Sequence, residues 1–198
     1  MADDSNNIIL SIPGLVTVRS GNASVTNAVV GVNTVLTKQN WPLQKDAKKF
    51  FGDPSVHNAA WQAAHLVSVP CPWTLFMGKT QLHSIQINKA CADSLKRVLA
   101  FVWEKVGEDQ SAIETLHYHL YSGSYNYRPM RGGSALSMHS YGAAIDWDDQ
   151  ENQQHHTKHL FQDNSLLIQA FKAEGWSWGG DWSVGSIDAM HVQAARVH

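Results

Sequence analysis

The feature that most constrains the fold of this sequence is one stretch of helical periodicity. Leu95, Val98, Leu99, Val102, Trp103 and Val106 recur at three- and four-residue steps, so a helix over about 88–107 carries a continuous apolar stripe that must be packed against other elements. The neighbouring patterns differ. Leu116, Tyr118 and Leu120 alternate with His117, His119 and Tyr121, the period of a half-buried strand within 114–127, and Gly142–Trp147 reads as another short strand. A short helix is predicted from Pro42, with Leu43, Ala47, Phe50 and Phe51 on one face and Gly52 and Pro54 closing it. A second helical piece covers 55–66, and a third begins at Asp163 or Asn164 as cap and ends at Ala173, before Gly175. Val69-Pro-Cys-Pro-Trp73 reads as a proline-rich connection, and 176–193 as short strands and turns. Helices and strands mix without βαβ alternation, which predicts an α+β fold, a small antiparallel sheet flanked by helices.

The chain has 198 residues, enough for one domain with an extension. Residues 1–40 are rich in Asn, Ser, Thr, Val and Gly, with β-branched pieces at Ile8–Ile12, Leu15–Val18 and Val29–Val35. They read as an N-terminal extension with one or two short strands, and 41–198 as the functional domain. Hydrophobic residues make up 43% and charged residues 16%, a balance that fills a core and excludes disorder. A net charge of −2 with no basic run presents no positive field to a phosphate backbone, which argues against nucleic acid as a partner. No stretch reaches the roughly 18–20 apolar residues of a membrane span. Met1–Asn7 carries acids where an export signal carries Lys or Arg, and Ile8–Ile12 is short for its apolar region, so synthesis in the cytoplasm without a signal peptide is expected. Cys71 and Cys91 allow at most one disulfide, and an unexported chain keeps its thiols reduced.

Two segments carry residues fit for chemistry. In Ser137-Met-His139-Ser-Tyr-Gly142-Ala-Ala144-Ile-Asp146, a His and an Asp stand seven apart, and Gly142 permits the sharp turn needed to aim both at one point. Asp188-Ala-Met-His191 supplies a second carboxylate and imidazole. His139, Asp146 and His191 are thus three N/O ligands, the set of a catalytic zinc site whose remaining position is left to water. Asp188 is then free to act as general base. Arg128 or Arg131 is placed to steady an oxyanion.

The pattern Ser137-x-His139-x-x-Gly142-x-Ala144-x-Asp146, followed by Asp188-x-x-His191, resembles the signature of the zinc D-alanyl-D-alanine carboxypeptidase and L-alanyl-D-glutamate endopeptidase family of peptidoglycan peptidases. Tyr127-Arg-Pro-Met-Arg131-Gly and Trp178-Gly-Gly-Asp-Trp182 resemble its phage-lysin branch, and the similarity extends over about 41–198. The resemblance implies the fold that this family shares with Hedgehog signalling domains, one zinc ion on His139, Asp146 and His191, and Asp188 as acid/base. It implies Arg128 as the substrate-binding arginine, with Arg131 second, and Ser137 helping to shape the site. It also implies a stem peptide of bacterial peptidoglycan as substrate. The absent export signal favours a monomeric phage endolysin, released to act on the cell wall, that cuts L-alanyl-D-glutamate. A D-alanyl-D-alanine carboxypeptidase and a non-hydrolytic zinc-containing binding module are the alternatives. Gln193 departs from the family, where an acid is expected, and so alters the hydrogen bonding around a ligand His.

The remaining candidates have plainer readings. His155, His156 and His159 form a polar surface segment, since His156 stands where a His-Glu-x-x-His motif needs its base. His117 and His119 share the polar face of the proposed strand. The acidic loop Asp146–Glu151, including Asp148 and Asp149, reads as solvated rather than as a second cation site. Trp176, Trp178 and Trp182 either floor a substrate groove or fill the core, and Trp178 is taken as a substrate contact.

Overall fold

The computed structural model describes residues 34–56 and 59–197. The predicted strand pieces at Ile8–Ile12 and Leu15–Val18, and most of Val29–Val35, lie outside these residues. The described chain begins with a 3-10 turn at Gln44–Asp46 leading into α1 (Ala47–Phe51), then α2 (Ala59–His65) and a hairpin of β1 (Leu66–Met77) and β2 (Thr80–Asn88). After it come α3 (Ala92–Lys105), α4 (Gln110–Thr115), β3 (Tyr121–Gly123), β4 (Ala144–Trp147), α5 (Leu166–Ala173), β5 (Ser177–Trp178) and β6 (His191–Gln193). The architecture is α+β, with two small antiparallel sheets where one was predicted: the β1–β2 hairpin, and a four-stranded sheet in the order β3-β4-β6-β5. No helix among the described residues is long and apolar enough to cross a membrane.

The predicted central helix is α3. Ser94, Leu95, Val98, Leu99, Phe101 and Val102 are buried, packed against β1 and α5. Asn88 starts the turn before it, its side chain accepting from Ala90 N at 3.0 Å. Two expectations are corrected. The proline-rich segment is the middle of β1, where Val69, Cys71, Trp73 and Leu75 are buried while Pro70 and Pro72 face outward. Its pairing with β2 shifts between Pro70 and Leu75, and a two-stranded sheet has only edges, so prolines without N–H groups are tolerated there. The expected strand over Leu116–Tyr121 is instead a turn that follows α4, from which only Tyr121 enters β3. Asp109 caps α4 by accepting from Ser111 N at 2.8 Å, His117 turns the chain with φ 63°, and only Tyr121–Gly123 pairs as strand. Further on, α5 is preceded by Ser165 as its cap residue, one or two residues beyond the predicted Asn164 or Asp163. Cys71 and Cys91 are both buried and free.

One buried charge ties the chain's early segment to the body. The Glu174 side chain, with no exposure, pairs with Arg97 on α3 through Nε at 2.8 Å and Nη2 at 2.7 Å. It also accepts from the Thr37 amide at 2.7 Å, and its carbonyl takes Gln39 N and the Trp41 indole N–H, each at 3.1 Å. Leu36 and Trp41 are buried beside this knot.

Candidate metal centre

Local structure aims each of the three ligand side chains. Ser137 caps the 3-10 turn Met138–Tyr141, its Oγ accepting from His139 N at 3.3 Å, and the turn ends on Gly142 in the left-handed region at φ 63°. A Cβ at Gly142 would stand 2.5 Å from Leu66 Cδ2 and 3.1 Å from Asn88 N. This close approach is used: Asn88 N donates to Gly142 O at 2.7 Å, and Asn88 Nδ2 holds the carbonyls of Phe51 and Tyr141 at 3.1 and 3.0 Å. The chain then enters β4, whose Asp146 stands directly opposite His191 of β6. Strand pairing, a turn and one glycine therefore bring together residues 45 and 52 positions apart.

His139 Nε2 lies 3.2 Å from Asp146 Oδ2 and 3.2 Å from His191 Nδ1, and His191 Nδ1 lies 2.9 Å from Asp146 Oδ1. Both imidazoles are buried. The outer ring nitrogens are occupied. His139 Nδ1 donates to Ser124 O at 2.6 Å, and His191 Nε2 donates to Gln193 Oε1 at 3.1 Å. Gln193 is itself oriented, its Nε2 donating to Gln44 Oε1 and Ala195 O, each at 3.2 Å. With each outer nitrogen carrying its proton, the inner nitrogens present lone pairs to one another and to a carboxylate. That donor set fits a divalent cation. It is the one group of three or more His, Cys, Asp or Glu among the described residues whose ligand atoms, here within 4.8 Å of one another, can share an ion.

A cation and protons compete for the inner nitrogens: without a bound cation they take up protons and donate to Asp146 instead. Burial pushes the Asp146 carboxyl up, but hydrogen bonds and charge from His139 and His191 outweigh it and hold it well below the usual carboxylate range. Burial likewise disfavours charge on His191, and Asp146 overcomes it to raise that imidazole. Asp188 behaves in the opposite way. Burial, reinforced by repulsion from Asp146 and opposed by His191, His139 and Arg131, pushes it up to about 6. Its Oδ1 is buried with no hydrogen-bond partner among the described residues. Gly179 lets Asp188 sit there, since a Cβ on it would fall 2.3 Å from Asp188 O.

The cavity over these residues has a volume of about 360 Å³, and Arg128, Arg131, Ser137, His139, Asp146, Asp188 and His191 all line it. Arg128 is half-buried, its main-chain N held by Ser140 Oγ at 2.9 Å and its Nη1 3.4 Å from Pro129 O. Arg131 is exposed and donates to Gln154 Oε1 at 2.8 Å. Trp178, taken as a substrate contact from the sequence, lies outside the lining of this cavity. It is buried, donates to Ala189 O at 2.8 Å and lines a neighbouring cavity. Trp182 lines the metal cavity, its ring 5.4 Å from that of His191.

Sequence reasoning missed other parts of the site. His155 lines the cavity, with φ 69° and Nδ1 donating to Gly185 O at 2.9 Å; the strained backbone is not a sequence signal. Ser124, which orients His139, likewise carried none. His117 pairs with the buried Asp148 at 2.9 Å, and Asp149 accepts from Ser122 Oγ at 3.1 Å, so these acids are engaged by protein donors.

A His/Asp/His set with both imidazoles buried and a carboxylate of raised pKa beside it is the equipment of a metal-dependent hydrolase. Residues 131–194 match the family model described as D-alanyl-D-alanine carboxypeptidase. The matched span contains His139, Asp146, Asp188 and His191, begins at Arg131 and leaves Arg128 outside. No curated protein and no solved structure matches the chain.

Proposed function

We propose that this chain is a zinc peptidase that hydrolyses stem peptides of bacterial peptidoglycan, as an L-alanyl-D-glutamate endopeptidase of the endolysin kind. The observation that carries the proposal is the convergence of His139, Asp146 and His191 beside a buried Asp188 whose Oδ1 has no hydrogen-bond partner among the described residues, in a span similar to peptidases of this class. His139 Nε2, His191 Nδ1 and an Asp146 oxygen would hold the ion, and zinc bound there supplies Lewis acidity that lowers the pKa of water and polarises a carbonyl. Asp188, as carboxylate, takes a proton from the attacking water as its oxygen bonds to the peptide carbon. The developing oxyanion is met by a guanidinium, Arg128 in the family-like position or Arg131 within the matched span. When the C–N bond breaks, Asp188 returns its proton to the leaving amine, leaving a new carboxylate and a new amino terminus. Ser137 fixes the His139 turn.

The family description favours a second reading, a D-alanyl-D-alanine carboxypeptidase; a binding module without hydrolysis is a third. Both are tested by mass spectrometry of the products from Gram-negative and Gram-positive peptidoglycan digested by protein of measured zinc content, with a chelator-treated control. New amino-terminal D-glutamate, abolished by the chelator, is expected. Free D-alanine would replace the endopeptidase by the carboxypeptidase, and stoichiometric zinc with no cut wall would overturn hydrolysis of these substrates. Action on the wall after release from the cytoplasm belongs to the same proposal.

A further inference from the structure

Beside the metal cavity lies a second hollow of about 680 Å³ that the hydrolytic scheme leaves unused. Gln44, Met130, Trp182 and Ser186 line both, so the two adjoin. Their chemistry differs. The second hollow is walled by Trp176, Trp178 and Trp182 and contains two charged residues, Asp181 and Arg196. Asp181 is already matched by Lys172 at 2.7 Å. Arg196 is exposed and has no acidic partner among the described residues. It is nevertheless held in place: its N donates to Pro42 O at 2.8 Å, its carbonyl accepts from Gln44 N at 2.8 Å, and its Nε donates to Trp41 O at 3.0 Å. The terminal nitrogens of that guanidinium are thus offered on a side chain that has already lost much of its freedom, which lowers the entropic cost of gripping an anion. Half-buried Trp182, facing both cavities, adds an apolar surface between the cation and the metal centre.

We propose that this second cavity is a substrate subsite for a carboxylate-bearing residue of the peptide, with Arg196 gripping the carboxylate and Trp182 covering the adjoining aliphatic chain. The assignment rests on the peptidase reading. Charge complementarity and adjacency to the metal cavity select an anionic peptide segment over a neutral sugar. The site would therefore distinguish a free carboxylate from its carboxamide away from the scissile bond.

The test uses stem tetrapeptides in which each carboxylate in turn is replaced by its carboxamide, with wild-type, Arg196→Gln and Arg196→Lys protein, all zinc-loaded and checked for an unchanged unfolding temperature. For the wild type, one carboxamide is expected to raise KM about tenfold with little change in kcat, the effect of losing one bidentate charged contact. Arg196→Gln should show that raised KM already with the parent peptide and no further response to the carboxamide, and Arg196→Lys should fall between. If Arg196→Gln discriminates as the wild type does, or if its kcat falls with KM unchanged, the subsite is overturned. If no peptide is cut by the wild type, the peptidase reading fails separately, and calorimetric binding of the same set decides the subsite: discrimination by the wild type and not by Arg196→Gln supports it, and equal binding overturns it.

Discussion

His139 and His191 each commit one ring nitrogen to an oxygen acceptor and leave the other facing Asp146. For His191 the acceptor is the Gln193 amide, a neutral group, and it fixes the tautomer without adding charge. Replacing Gln193 by Leu should weaken zinc binding about 10–100-fold, read by competition with a chromogenic chelator; unchanged affinity would show that the tautomer needs no such support. Asp188 is proposed for a different task, that of the base. Asp188→Asn should keep stoichiometric zinc and lower turnover by about 100-fold or more. The pH profile follows from the sign of the shift. Only the carboxylate accepts a proton, and burial raises the acid to about 6, so activity should be lost as pH falls through that region, with a bound dication moving the limb lower. An acidic limb that persists unchanged in Asp188→Asn would assign it to another group.

At the scale of elements, the site depends on one sharp turn entering β4. Gly142→Ala places a methyl against Leu66 and the Asn88 amide in a backbone conformation that favours glycine. It should cost about 1–3 kcal/mol, seen as a lowered unfolding temperature together with weakened zinc binding, because the same turn carries His139. Each half of the candidate site was legible in its local spacing, from His139 to Asp146 and from Asp188 to His191, while joining the halves rested on the family resemblance, because the pairing of β4 with β6 spans 45 residues. Helix α3 was legible because its stripe is long. The β1–β2 hairpin was not. Pro70 and Pro72 masked the alternation of Val69, Cys71, Trp73 and Leu75, and β2 buries only Ile85, Ile87 and Asn88. The alternation after Leu116 misled because Leu116 is itself 39% exposed, and His117 turns the chain through the left-handed region directly after α4. The partners Ser124, Gln44 and His155 depend on long-range packing, which no local pattern records.

Across the whole molecule, Glu174 joins α3, the end of α5 and the segment 37–41 through one buried carboxylate. Glu174→Gln should destabilise the fold by about 3–5 kcal/mol, since it leaves Arg97 without its counter-charge. Pairing it with Arg97→Met should recover part of that loss. Denaturant midpoints of the two single variants and the double variant check this; strictly additive losses would mean that the pair is not coupled. A different consequence follows from the two cysteines. Burial pushes the Cys71 thiol up to about 12 and raises Cys91 as well, so neither presents a thiolate at neutral pH. A single cysteine introduced at an exposed rim position would therefore be the one group to take a maleimide dye or spin label, and the native background need not be stripped of sulfur before the distance across the cleft is followed in solution.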